Sequence, residues 1–249
     1  MEYYVSPQFL ENWKTKVENE NMPFDMELVQ KTLDKYPFEQ WNHRKYWGLL
    51  LRLFKMGELD WLQGFEKLGL PLDPRSPDTG YESSWFVALE HQELSPALKW
   101  ALDPHFSRVN INAHEGKFNE GQSALMYACR YGFNEHFNTI EWLLLNGANL
   151  NHTTPKGESV LSKLNEYFNS YQFKIDLNYK KEFEKLITLL FEHGLDIYTP
   201  SENGVAMIES IFLNVSFKEI IQTLSAHYTK NNLNQIIPKS NHAKSLNRL

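Results

Sequence analysis

In the stretch FEKLITLLFEHG, residues 183–194, apolar side chains stand at Phe183, Leu186, Ile187, Leu190 and Phe191, with Glu184, Lys185 and Thr188 between them. Steps of three, one, three and one put those five on one side of an α-helix, so the pattern predicts an amphipathic helix that stops at a glycine. The same course of events recurs along the chain. Helical patterns stop at GLPLD from Gly69, RVNIN from Arg108, GANLN from Gly147 and GLDIY from Gly194, at spacings of 39, 39 and 47 residues. Three of the four stops begin with Gly, which enters the left-handed conformation that ends a helix without a Cβ penalty. A polar turn follows each stop, then a small residue, then apolar residues at helical spacing: SSWFVA from Ser83, SALMYA from Ser123, SVLSKL from Ser159 and AMIESI from Ala206. A serine hydroxyl at that place can accept from the free amides of the first helical turn. Each unit therefore reads turn, helix, helix, stop.

One short helix pair cannot bury such a stripe by itself. Neighbouring pairs stacked in a row can, at a gain of roughly 1.5–3 kcal/mol for each large side chain removed from water. Residues 1–45 lack the repeated pattern. Ser6 with Pro7 and Asp25 ahead of MELVQKTLDKY are expected helix starts, with Pro37 closing the second helix, so this segment is expected to be a helical cap on the first pair. The array then spans 46–229, its last outer helix expected in SFKEIIQTLSAHY from Ser216, and 230–249 form a basic, Asn-rich tail.

The unit at 119–151 resembles the ankyrin repeat, a turn followed by two helices. GQSALMYACRYG matches the family's opening, with Ala124 in place of Pro and Met126 in place of His, and LLLNGANLN matches its close. The other units are degenerate and longer than the family's repeat of about 33 residues. Their extra residues are expected between the two helices, most of all in 165–183. The resemblance implies an all-α, ankyrin-like solenoid of about five helix-turn-helix repeats behind the N-terminal cap. Armadillo-like or HEAT-like pairs are the structural alternative; the Gly-terminated closings favour ankyrin.

A hydrophobic content of 42% with 22% charged residues fits a folded, water-exposed array. The first residues carry an acid at Glu2 and no secretory-type apolar stretch, and the longest greasy segment, YWGLLLRLF, is cut by Arg52, so a cytoplasmic protein without a membrane anchor is expected. Net charge is −6, but the tail carries +4 with no acid, which leaves −10 on the first 229 residues. Such an acidic body argues against nucleic acid as ligand.

Candidate chemistry is sparse. The single cysteine, Cys129, rules out an intrachain disulfide and reads as a small core residue. Nine histidines show neither HExxH nor a helical pair, so no metal and no cofactor is expected. TTPKGES from Thr153 lacks the order and the preceding strand of a phosphate loop and reads as a turn. No nucleophile elbow or dinucleotide fingerprint is present, and the expectation is a protein without enzymatic activity.

The ankyrin resemblance instead implies a protein-binding face made by turn tips and inner helices. Its variable positions carry over to Glu82, Glu90 and His91 in the second unit, and to Asn119, Glu120, Gln122, Arg130 and Tyr131 in the third. They continue with Lys156, Glu158, Glu166 and Tyr167 in the fourth and Glu202 and Asn203 in the last. Together with Glu115 the face is rich in glutamate, with Tyr81, Tyr131 and Tyr167 as aromatic anchors, which suits a basic protein partner. A free-standing acidic array of this kind is similar to bacterial ankyrin-type immunity proteins, which implies an antitoxin that blocks a cognate toxin by occlusion. The alternative implied by the same family is a scaffold or host-directed effector with several partners.

Overall fold

In a computed structural model of the chain, helix boundaries fall where local chemistry places them. The structure describes residues 8–20, 22–74, 83–89, 94–106, 108–115, 121–130, 133–170 and 177–198, with pieces at 221–223, 225–226 and 229. The expected start at Ser6 and Pro7, the unit around Ala206, most of the helix expected from Ser216 and the 230–249 tail lie outside the described residues. Among the described residues no helix is long and apolar enough to cross a membrane.

The N-terminal segment supplies α1 (Gln8–Glu20) and α2 (Met26–Lys35). Asp25 caps α2 by accepting from the Leu28 amide at 3.0 Å, and Tyr36, ahead of Pro37, is extended, as a residue before proline must be. The repeated part follows as α3 (His43–Met56), α4 (Leu59–Lys67), α5 (Ser84–Ala88), α6 (Pro96–Ala101), α7 (Ala124–Arg130), α8 (Phe133–Leu145), α9 (Val160–Ser170) and α10 (Leu177–Glu192). A two-residue pair of strands, β1 (His114–Glu115) and β2 (Gln122–Ser123), runs antiparallel ahead of α7, with His114 opposite Ser123.

The helices form two rows. In the inner row α3 packs on α5 and α7 on α9, with Phe86 of α5 and Tyr127 of α7 in ring contact at 4.8 Å; in the outer row α4 packs on α6 and α8 on α10. The described core is one contiguous apolar cluster from Leu10 to Ile221, and it contains all five residues of the stripe from Phe183 to Phe191. This is the stacking that an unpartnered stripe demands.

Gly69, Gly147 and Gly194 all sit in the left-handed region, at φ of 73°, 86° and 89°. Ser123 and Ser159 cap α7 and α9 by accepting from the amides of Met126 and Ser162. Where Arg108 replaces the glycine, its guanidinium lies 4.1 Å from the Trp100 ring and 4.3 Å from the Phe106 ring, while its Nε donates to Glu66 at 2.7 Å. A sandwiched cation and an ion pair to the previous unit hold that corner. The long 165–183 segment is spent mostly on helix: α9 runs on to Ser170 and α10 begins at Leu177.

Asparagines in the stops tie unit to unit. Asn112 donates from Nδ2 to the Gly147 carbonyl at 3.0 Å and accepts on Oδ1 from the Asn149 amide at 2.6 Å. Asn151 repeats this one unit on, donating to the Gly194 carbonyl at 2.9 Å and accepting from the Asp196 amide at 3.0 Å. Asn110, Asn149 and Asp196 each accept from the amide two residues later, which shapes the turn that aims the next side chain. Tyr198 stands where the next rung would begin; its phenol cannot serve as an amide and it is largely exposed.

The cap is seated by aromatic packing. The Phe24 ring lies against the bare Cα of Gly64 in α4, Trp61 donates from Nε1 to the Met22 carbonyl at 2.8 Å, and α1 packs on α3. Trp13, Trp41, Tyr46, Trp61 and Phe65 fill the space between cap and first unit. Burial raises the Tyr46 phenol well above its ordinary pKa, and its hydroxyl donates to the Pro71 carbonyl at 2.9 Å.

Candidate partner-binding surface

The flank where α7 meets α9 is built on a charged network. Lys163 of α9 has only 3% of its side chain exposed. An ammonium so placed needs partners, and its Nζ donates to Glu158 Oε1 at 2.7 Å and Glu166 Oε1 at 2.9 Å. Gln122, the last strand residue but one before α7, reaches Glu158 Oε2 with its amide at 3.4 Å, and Arg130 at the end of α7 lies 3.9 Å from Glu166 Oε2. Two glutamates, a lysine and an arginine thus balance across the inner helices.

The turn ahead of α9 is fixed by its own backbone. Thr154 donates its amide to the Glu158 carbonyl at 2.8 Å and accepts on Oγ1 from the Glu158 amide, while Gly157 takes a φ of 81° and donates to the Thr154 carbonyl. Lys156 is exposed at the tip, so this Lys-Gly pair is a turn, as the sequence predicts.

Residues 120–155 match the family model of the ankyrin repeat. Residues 120–155 are an ankyrin repeat. Their turn, α7, α8 and stop have the layout read from 119–151, and the described helix pairs around them stack in the same way. None of the curated proteins matches the chain. Among solved structures the chain is similar to the ankyrin repeat domain of Bcl-3, described as a unique member of the IkappaB protein family, at 17% identity and a TM-score of 0.49 over 70% of this chain and 67% of that one.

Of the expected surface residues, Arg130, Lys156 and Glu166 are exposed around the ankyrin repeat's inner side, and Tyr167 is half-buried against the core. Glu158 is half-buried in the Lys163 network, and Gln122 is buried, so both brace the surface from beneath. Glu82, Glu90, His91, Asn119, Glu120, Tyr131, Glu202 and Asn203 lie outside the described residues, as does Tyr81; of Glu115 only the backbone is described. The glutamate-rich face is therefore charge-balanced at the two described positions, because Glu158 and Glu166 are held by Lys163 and Arg130.

Lys163 is the residue that sequence reasoning passed over. Its signal was present as a lysine with glutamates five residues before and three residues after, but only the packing of α9 on α7 buries it. Cys129, by contrast, is fully buried in α7, and burial pushes its thiol far above its ordinary pKa, which keeps it protonated and inert.

Proposed function

We propose that the array binds a protein through its turn tips and inner helices, and that this partner is a basic toxin domain whose active cleft it occludes in the cytoplasm. The observation that carries the reading is the flank of α7 and α9. Arg130, Lys156 and Glu166 stand exposed there on backbone that the Lys163 network and the Thr154 turn hold in place. Backbone held in place before binding loses less freedom on association, which favours one tight interface. The charge of −10 on the first 229 residues speeds encounter with a basic partner. Glu82, Glu90, His91, Asn119, Glu120, Tyr131, Glu202 and Asn203 extend the proposed face along the row, with Gln122, Glu158 and Tyr167 supporting it. Binding, with no turnover, is the activity.

The test is co-expression of the chain with basic toxin domains, beginning with any toxin gene that adjoins its own. Rescue of the host cell and a stoichiometric complex on purification are expected, with Arg130→Glu and Glu166→Arg each weakening the complex. A toxin that neither binds nor is neutralised at low salt, or capture of several unrelated proteins instead, would overturn the toxin reading and leave a scaffold.

A further inference from the structure

Two histidines that the ankyrin pattern does not call for meet face to face between adjacent turns. His114 lies on β1 and His152 follows the ladder residue Asn151; their ring centroids are 3.7 Å apart and the planes 18° from parallel. His152 Nε2 stands 2.8 Å from the Gly121 carbonyl, at the return of the β1–β2 hairpin. A carbonyl only accepts, so Nε2 carries the proton, and in the neutral ring Nδ1 is left bare. The pair thus joins both arms of one hairpin to the segment that leads into the next turn.

We propose that His114 and His152 form a proton-operated clasp between neighbouring turns, closed while the rings are neutral and stacked and loosened when acid charges them. Two imidazolium rings cannot share that separation without repulsion. The ionisable residues of these segments are Glu115 on β1, Lys117 and Glu120 between β1 and β2, and Lys156 and Glu158 in the turn; β2 and the start of α7 contribute none, and Glu158 is bound to Lys163. None of the ion pairs among the described residues involves either ring. Partial loss of water against the facing ring first, and the charge of His152 second, lower the pKa of His114. At His114 the unfolded chain therefore binds more protons than the folded one as pH falls through the ordinary histidine range, and this residue's contribution to stability is lost in that direction. Lys156, four residues beyond His152, sits on the tip that this clasp positions. The spacing of neighbouring tips then depends on pH, whatever the array binds.

The test uses the full chain, with histidine ring titration by NMR and thermal unfolding at about pH 7.5 and about pH 5.5. His114 should titrate below the ordinary histidine value in the wild type and move back towards it in His152→Gln. The wild-type Tm should drop in acid, and His114→Phe, which keeps a ring on the stack but takes up no proton, should at least halve that drop. His114 is exposed, so the variant has no core to disturb. Rings that titrate independently at the ordinary value, or an acid drop in His114→Phe equal to that of the wild type, would overturn the proposal.

Discussion

Replacing Lys163 by Met separates the charge of this side chain from its packing. Methionine keeps an unbranched apolar stem of similar length, so the side chain, 3% exposed, still fills its place between α9 and α7. What disappears is a pair of charge-assisted hydrogen bonds, at 2.7 and 2.9 Å, each of a kind worth about 1.5–3 kcal/mol. Removing one member of a fully buried pair costs about 3–5 kcal/mol. Here the stranded carboxylates keep access to water, 25% of the side chain for Glu158 and 45% for Glu166, so they rehydrate in part and the loss is smaller. About 2 kcal/mol is the expected destabilisation, read as a lower urea midpoint at unchanged slope. The companion variant Lys163→Met with Glu158→Gln removes the less hydrated stranded charge and should recover about half of that loss. A single variant within about 0.5 kcal/mol of the wild type, or a double variant no more stable than the single, would refute the reasoning. The outer arm of the network, Arg130 to Glu166 at 3.9 Å with both side chains 45% exposed, should contribute under about 0.5 kcal/mol by double-mutant cycle.

Four further outcomes follow from the same geometry. Asn151→Ala removes both inter-unit hydrogen bonds and should cost about 2 kcal/mol by urea unfolding, and Asn151→Asp should cost at least as much, because it sets a carboxylate oxygen against the Gly194 carbonyl that Nδ2 now bonds. Gly64→Ala should lower stability by more than about 1 kcal/mol although alanine is the better helix former, because its Cβ would collide with the Phe24 ring; restoration by Phe24→Leu in the same chain would confirm the cause. Gly147→Ala meets open space, so only the left-handed φ of 86° is charged against it, about 1 kcal/mol by the same assay. Cys129 should react with a thiol reagent only at the rate at which α7 opens, and labelling of the native protein at the rate of a free thiol would contradict its burial.

Helix starts and stops were legible because each is decided within one turn of chain. Asp25 reaches an amide three residues on, Ser123 and Ser159 do the same, and Gly69, Gly147 and Gly194 carry their backbone freedom in themselves. The stripe from Phe183 to Phe191 was legible for the same reason, since the period of an α-helix puts its members side by side before any partner arrives. Of the surface, Arg130, Lys156 and Glu166 stand exposed, while the inward turn of Gln122 and the pairing of Glu158 and Glu166 were not legible, because both depend on how α9 sits against α7.

By itself, then, the amino-acid order determined where helices begin and end, which side of each is apolar, and that such pairs must stack. Tertiary structure alone decided what meets across the stack. Arg108 finds Glu66 at a remove of 42 residues, Asn151 finds Gly194 at 43, His152 faces His114, and the Phe24 ring settles on Gly64. Such contacts depend on the distance and register between neighbouring helix pairs, which the buried side chains of both pairs fix together, and no stretch of sequence within one pair contains that information.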